Sequence, residues 1–394
     1  MADSDMYKIL TFNNISAKGL DRFPRERFEI SSEAAQPDAV LLRSAKLHDW
    51  EIPASLKAVG RAGAGVNNIP VDAMSARGIP VFNAPGANAN AVKELVLAGM
   101  LIASRNICAA WDFARSLEGD NAAMNQQAEA EKKRFTGSEL PGRTLGVIGL
   151  GAIGVRVANA ASALGMKVIG YDPQITVSSA WSLESGVRRA HSIDEVVSAA
   201  DIVTLHVPEV DETRGMINGA RLASAREGQI LLNFARAGIV DEEAIVKALE
   251  SGRLRSYVCD FPSSTLQGNE GVITLPHIGA STNESQENCA IMAADEVRDF
   301  LETGNIVNSV NFPELVLPRN GSGDRLTVAN ANVPNMLGQI SSAVADAGLN
   351  IADMYNKSRG DLAYSVVDLD GHLPAEIVEK LRGIEGVLSV RVIE

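Results

Sequence analysis

The sequence predicts an α/β protein: a doubly wound parallel sheet joined to a smaller α/β unit and followed by a βαββαβ module. Three observations carry this expectation. From Arg143 onward, β-branched runs alternate regularly with helical stretches. A glycine-rich turn, Gly149 to Gly154, separates the first of these runs from its helix. After Arg325 the order changes to strand, helix, two strands, helix, strand.

Taken in order, Tyr7 to Phe12, Ala39 to Leu42 and Ile79 to Phe82 read as short strands, with a helix over Val71 to Arg77. Val92 to Ala103 has a strong helical apolar pattern and leads into the second unit, and the polar Ala- and Gln-rich segment Glu118 to Phe135 reads as an exposed helix or arm. The repeat then runs through strand Thr144 to Ile148, helix Ile153 to Leu164 and strand Lys167 to Tyr171. Strands Ile202 to His206, Gln229 to Asn233, Tyr257 to Cys259 and Val272 to Leu275 follow. Thr282 to Glu302 reads as one long helix, and the Asn-, Pro- and Gly-rich stretch Asn305 to Gly323 as a linker. In the tail, Arg325 to Ala329, Ile351 to Tyr355, Ala363 to Leu369 and Val387 to Val392 are strand-like, and Asn335 to Ala347 and Ala375 to Arg382 are helical.

A chain of 394 residues, 46% hydrophobic and 22% charged, has room for two or three domains with substantial cores. No apolar run approaches the ~18 residues that span a bilayer, and the start MADSDMYKIL lacks the basic and apolar blocks of a secretory signal, so a cytoplasmic address is expected. Thirty-six Lys and Arg against 49 Asp and Glu give a net charge of -13, a field that repels nucleic acid and anionic membrane surfaces. A small anionic ligand therefore needs a local cluster of basic side chains. Cys108, Cys259 and Cys289 form no CxxC pair and have no His in ligand spacing, so neither a disulfide framework nor a metal site is expected.

In Gly149-Leu150-Gly151-Ala152-Ile153-Gly154 the glycines permit a tight turn, close approach of backbone N–H groups to a pyrophosphate, and tight helix–strand packing. The next strand ends in Asp172, at the offset where a carboxylate meets an adenosine ribose. A carboxylate accepts from a 2′-hydroxyl and repels a 2′-phosphate, and the following residues, Pro173 and Gln174, bring no Arg. NAD is the expected cofactor.

Two further strand ends carry chemistry. Asn233-Phe234-Ala235-Arg236 follows one strand and Pro276-His277-Ile278-Gly279-Ala280 another, so Arg236 and His277 are expected at the carboxyl edge of the sheet, where open parallel sheets bind ligands. An Arg there forks onto a carboxylate, and a His there moves a proton near neutral pH. Taken singly, Arg236 reads as a surface ion-pair partner and His277 as a satisfied loop histidine; their joint placement favours oxidation of a 2-hydroxy acid.

GLGAIG with Asp172, NFARAGIVDEEA and TLPHIGAST resemble the D-isomer-specific 2-hydroxyacid dehydrogenases from about Arg43 to Pro313. LLRSAK and GRAGAGVNNIPVDAMSARGIPVFNAPGANANAVKELV are most similar to the branch of that family acting on 3-phospho-D-glycerate, at the start of serine formation. The tail RLTVANANVPNMLGQISSAVADAGLNIADMY resembles an ACT domain, a small-molecule sensor. The resemblance implies a Rossmann-type NAD-binding domain over 91–280, inserted in a flavodoxin-like substrate domain of 1–90 and 281–318, with a ferredoxin-like ACT domain over 322–394. It implies an acid/base role for His277, a carboxylate-binding role for Arg236, and cofactor contacts from Gly149, Gly151, Ala152, Ile153, Gly154, Asp172, Phe234, Ala235, Arg236, Asp260, His277, Gly279 and Ala280. Arg43, Ser44, Arg61, Gly63, Ala64 and Asn88 fall at the family's substrate positions, and Lys46, Lys57 and Arg61 are candidates for a phosphate.

The family pairs its His with a Glu, but that position falls near Ser264 in Cys259-Asp260-Phe261-Pro262-Ser263-Ser264. Asp260 is the candidate replacement, with Glu270 nearby in sequence. Lys93, beside the junction of the two units, either contacts substrate or snorkels. Asn330, Asn332 and Asn350 stand where the sensor holds serine, Asn330 replacing a common His, so serine is the expected effector and a homodimer or homotetramer the expected assembly. The alternatives are another D-2-hydroxy acid as substrate, an NAD-sensing binding protein, and a purely structural tail.

Overall fold

Alternating apolar runs fold into parallel strands from the first described residues onward; the computed structural model describes residues 6–319 and 323–394. Strands β1 (Tyr7–Thr11), β2 (Phe28–Ser31), β3 (Ala39–Leu42), β4 (Ala58–Arg61) and β5 (Val81–Asn83), with helices α1 (Ala17–Leu20) and α2 (Val71–Ala76), make the first sheet. Its order is β2-β1-β3-β4-β5 and all its pairs are parallel, the flavodoxin-like arrangement. All four residues of β3 are buried, as expected of a central strand covered on both faces. The strands β2 and β4 escape the sequence reading, being short and flanked by charged residues.

The second unit begins with α3 (Ala89–Ser104), α4 (Ile107–Arg115) and α5 (Asn121–Glu131); no residue of α5 is buried, in keeping with an exposed arm. There follow β6 (Thr144–Ile148), α6 (Ala152–Ala163), β7 (Lys167–Tyr171), α7 (Val177–Trp181), β8 (Arg188–Arg189), α8 (Ile193–Ala199), β9 (Ile202–Leu205) and α9 (Gly219–Ala223). The unit closes with β10 (Gln229–Asn233), α10 (Glu242–Glu250), β11 (Leu254–Cys259) and β12 (Val272–Thr274). The seven strands are parallel in the order β12-β11-β10-β9-β6-β7-β8, so the chain reverses direction across the sheet between β6 and β9. That is the doubly wound, Rossmann-like topology. Among the described residues no single helix is long and apolar enough to cross a membrane.

Contacts divide the chain into two compact units, one running to Asn88 and resuming at Asn283–Glu394, the other Ala89–Thr282. In the first unit α11 (Asn283–Thr303) lies on the parallel sheet. It leads to β13 (Arg325–Ala331), α12 (Met336–Asp346), β14 (Ile351–Arg359), β15 (Leu362–Leu369), α13 (Ala375–Arg382) and β16 (Val387–Ile393). These four strands form an antiparallel sheet in the order β14-β15-β13-β16. One face packs on α12 and α13, and the other joins the core around α11.

The segment read as a linker is built into the fold as far as it is described. Ile306, Phe312 and Leu315 are fully buried, Ile306 and Leu315 exchange backbone hydrogen bonds, and Asn311 accepts from Val81 N–H at 2.9 Å. Its Asn320 to Ser322, like the first five residues of the chain, lie outside the described residues. The composition signals a loop because Asn, Pro and Gly dominate it; its buried apolar residues find their partners far away in sequence.

Within this packing Glu296 of α11 is 7% exposed. Asn308 donates to its Oε1 at 2.6 Å, while Oε2 is buried without a partner. Burial pushes its pKa from 4.5 up to about 8, against the Asn308 hydrogen bond and with a smaller contribution from Asp295. The folded state therefore keeps a proton that the unfolded chain releases, and stability falls as pH rises from about 4.5 to about 8. Glu296→Gln is expected to flatten that decline: its melting temperature should exceed that of the unsubstituted protein by at least about 2–4 °C at pH 8 and match it near pH 4.5. Parallel melting curves across this pH range would refute the assignment.

Candidate active site

The glycine turn forms where β6 gives way to α6. Gly149 has φ +93° and donates its N–H to Tyr171 O at 2.9 Å. A Cβ on it would lie 2.6 Å from His206 O, and one on Gly154 would lie 1.9 Å from Gly149 O, so both positions require glycine. Gly151, the N-cap of α6, faces open space, with nothing within 4 Å of where its Cβ would be and no side chain capping the helix. The N–H groups of that first turn, at Ala152, Ile153 and Gly154, lack intrahelical acceptors and suit a pyrophosphate.

Asp172 lies just beyond β7, its Oδ2 accepting from Leu150 N–H and its Oδ1 from Gln174 N–H, each at 2.8 Å. Each oxygen keeps a lone pair for a ribose hydroxyl. The turn lies at the strand-order reversal between β6 and β9, and the residues present fit NAD. His206, just beyond β9, is a feature the sequence reading passed over. Its Nε2 meets Thr204 Oγ1 at 2.9 Å and burial drives its pKa down to about 3, so it stands neutral beside the turn.

Arg236 and His277 follow β10 and β12 of the same sheet, flanking β11 at its carboxyl edge. Two strand spacings, about 10 Å, separate their strands. Arg236 is exposed, with Nη1 donating to Ala235 O at 2.7 Å. Its turn is shaped by the fully buried Asn233, whose side chain accepts from Ala235 N–H at 3.2 Å and donates to Arg236 O at 2.9 Å. A strand-end Asn before an Arg was the available signal for that Asx turn. Phe234 points its ring into the core against Gly99, leaving only its backbone for a cofactor.

His277 is exposed and left-handed, with φ +56°, and its ring meets Phe261 edge-on at 5.2 Å. Asp260, 1% exposed at the end of β11, accepts from Ile278 N–H through Oδ1 at 2.8 Å and from Gly279 N–H through Oδ2 at 2.7 Å. This corrects the expectation that Asp260 replaces the family Glu beside the imidazole: its carboxylate holds the backbone just after His277. Glu270 precedes β12, at the opposite edge of the sheet from His277, and is no replacement either. Ser264 is exposed in the loop after β11, and Ala280 is half-buried.

In the first unit, Arg43, Arg61 and Asn83 mark the carboxyl edges of β3, β4 and β5. Asn13, left-handed at φ +66°, accepts from the Ser44 and Ala45 N–H groups at 3.1 and 2.7 Å, which fixes the loop after β3. Arg61 Nε donates to Arg43 O at 3.1 Å, and its guanidinium occupies the space a Cβ on Gly63 would need. Asn83 donates to Ala64 O at 2.5 Å, and Asn88 closes the unit, half-buried.

Two α11 residues missed by the sequence reading join this group. The Cys289 thiol is pushed up by burial and drawn down by a Ser285 hydrogen bond and by the charges of Arg61 and Arg43. Lys46 is exposed nearby in the chain, but Lys57 precedes β4 at the opposite edge of the sheet, paired with Asp38 at 2.7 Å, which removes it as a phosphate ligand. Lys93 lies on α3 with its ammonium 3.7 Å from Glu94 and its side chain 20% exposed, as a snorkelling stem would be.

The sensor asparagines do not meet within the chain. Asn330 on β13 is buried, with Nδ2 donating to Ala331 O and Oδ1 unpartnered, and Asn332 donates to Gly360 O at 3.1 Å. Asn350 sits beside Asp370 at the other end of the sheet. Seven residues of β15 separate the two ends, about 23 Å.

Residues 99–279 match the family model of the D-isomer specific 2-hydroxyacid dehydrogenase NAD binding domain. A D-3-phosphoglycerate dehydrogenase of Haemophilus influenzae is 36% identical over 355 residues, 87% of this chain and 82% of that protein. Its counterpart in Methanocaldococcus jannaschii is 38% identical over 80% of this chain but only 57% of its own length. The crystal structure of the TT0316 protein from Thermus thermophilus superposes with TM-score 0.63 at 26% identity, over 77% of this chain and 99% of that one. The glycine cradle, the ribose carboxylate and the paired strand ends thus stand in a chain with such relatives, and the protein belongs to the D-isomer-specific 2-hydroxyacid dehydrogenases as an NAD-dependent enzyme.

Proposed function

We propose that this protein oxidises 3-phospho-D-glycerate reversibly to 3-phosphohydroxypyruvate, the first step of L-serine formation, in the cytoplasm. The observation that carries the substrate is the placement of Arg43 and Arg61 at the carboxyl ends of adjacent strands, with the Arg61 guanidinium bonded to Arg43 O, in a chain of net charge -13. A local basic pair in an acidic protein is what a substrate bearing both carboxylate and phosphate requires. In the second unit Arg236 forks onto the substrate carboxylate and polarises the C2 oxygen, and His277 takes the hydroxyl proton in oxidation and returns it in reduction. In the first unit Arg43, Ser44 and Arg61 bind the phosphate, and the Ala64 N–H and the Asn88 amide orient the carboxylate; the Gly63 N–H, expected in that role, is instead taken by Arg61 O at 2.8 Å. The glycine turn and Asp172 would hold NAD, which would supply the hydride acceptor for this oxidation. Relatives named D-3-phosphoglycerate dehydrogenase support this substrate over others of the family.

The test follows NADH absorbance with phosphohydroxypyruvate, hydroxypyruvate and pyruvate in turn. A strong rate with the first alone is expected. A strong rate with another ketoacid would reassign the substrate, and no rate with any would favour an NAD-sensing protein.

The four-stranded sheet is read as an ACT-type serine sensor. Its outer strand β14 is exposed along most of its length, and Asn330 keeps a buried, unpartnered Oδ1. Antiparallel pairing of β14 with the same strand of a second copy, centred near Tyr355, would bring Asn350 of one chain to Asn330 and Asn332 of the other. This makes the effector site a property of a homodimer or homotetramer. Calorimetry should detect L-serine binding at millimolar concentration or below; no heat in an assembled oligomer would leave the sheet a structural element only.

A further inference from the structure

Helix α11 is engaged at both ends by groups that differ in kind. Near its start, Cys289, hydrogen-bonded with Ser285, feels the charges of Arg61 and Arg43, the proposed phosphate ligands. Midway it bears on β4: a Cβ on Gly60 would fall 2.7 Å from Val297 Cγ2 and 3.3 Å from Ala293 O, so helix and strand touch at the residue preceding Arg61.

At its end side chains of the antiparallel sheet reach the last carbonyls, joining the Gly304 N–H, which donates to Phe300 O at 2.9 Å, and Tyr7 of β1, which donates to Leu301 O at 2.9 Å. Arg391 donates to Phe300 O at 3.2 Å and Leu301 O at 2.8 Å, with its guanidinium 4.5 Å over the Phe300 ring. Arg325 donates to Thr303 O at 3.0 Å, and Tyr364 Oη to Gly304 O at 2.8 Å. Two cations at a helix C-terminus also oppose the negative end of its dipole. Arg325 is fully buried, held by Asp368 through two bonds of 2.6 and 2.8 Å and donating also to Leu317 O at 2.9 Å. One apolar cluster joins Leu41 of the parallel sheet to Val297 and Phe300 of α11 and to Tyr364 and Val366 of the antiparallel sheet.

The geometry points to Arg325, Tyr364 and Arg391 as positioning residues for substrate binding: they fix the axial and rotational setting of α11, and α11 in turn sets Arg61. This role rests on the reading of Arg43 and Arg61 as phosphate ligands. It makes the antiparallel sheet part of the substrate-binding unit's mechanics, and gives any ligand of that sheet a solid path to the arginines. The cofactor turn belongs to the other unit.

The full-length protein is tested with Arg391→Gln and Tyr364→Phe, with Arg391→Lys as the conservative variant. KM for phosphohydroxypyruvate should rise about three- to tenfold, with kcat and KM for NADH within twofold, and Arg391→Lys should recover part of the loss. Cys289, buried and remote from all three substitutions in sequence, reports helix setting without any substrate. Its alkylation by iodoacetamide, read by peptide mass spectrometry against exposed Cys108, should quicken about tenfold. Lys380→Gln, on the sheet's other face where Lys380 pairs with Asp346, should change neither readout. Unchanged Cys289 alkylation in folded Arg391→Gln would overturn the inference, as would a KM shift shared equally by Lys380→Gln. If the unsubstituted enzyme ignores phosphohydroxypyruvate, the substrate assignment falls, and Cys289 reactivity still decides whether the sheet holds the helix.

Discussion

Replacing His277 by Gln or Asn is expected to lower turnover by about 10²- to 10⁴-fold in both directions of the reaction. Either amide retains hydrogen-bonding capacity but neither exchanges a proton near neutral pH, so only the transfer step is lost. The Asn variant matters because residue 277 sits at φ +56°, where His, Asn and Asp are tolerated better than other side chains; it separates lost chemistry from lost loop geometry. Affinity for NADH, measured by fluorescence titration, should stay within about twofold, because the glycine turn belongs to β6 and α6. An Asn variant retaining a tenth or more of the activity would exclude His277 as the acid/base.

Asp260→Asn should reduce kcat by about 10- to 100-fold, by a different route. The carboxylate accepts one N–H on each oxygen, from Ile278 and Gly279, at a position 1% exposed. An amide presents only one acceptor, so one buried N–H is left facing a donor, at a cost of about 1–3 kcal/mol. That penalty falls on the left-handed turn holding the imidazole, and turnover drops with the share of molecules in which the turn persists. The inflection of the pH–rate profile should not move, since Asp260 touches the backbone and not the ring. A displaced inflection would restore Asp260 as the proton partner of His277.

Much of the second unit was legible because its signals are local. Thr144–Ile148, Lys167–Tyr171 and Gln229–Asn233 are runs bounded by Gly, Asp or Arg, and their ends match the observed strands. The positions of Arg236 and His277 followed from topology, since a parallel sheet delivers its strand ends to one edge. What stayed hidden depends on partners distant in sequence. The direction of the Asp260 carboxylate is set by a turn eighteen residues later. Lys57 reads as one basic residue among several, and only the start of β4 and the ion pair with Asp38 turn it away from the substrate edge. Glu296 reads as an ordinary charge on a helix because nothing nearby in sequence reveals that Asn308 and the returning segment cover it. Asn350 belongs by motif with Asn330 and Asn332, yet the strand register carries it to the far end of the sheet.

The buried Arg325 limits how this protein can be recombined with its relatives. A tail exchanged at Pro318 would leave behind bare carbonyls at Thr303 and Leu317 and an uncovered apolar patch around Phe300 and Phe312. Chimeras should therefore move the whole of α11 together with everything after it, and screens of tail swaps should find soluble hybrids only where the incoming segment brings its own guanidinium to that seam.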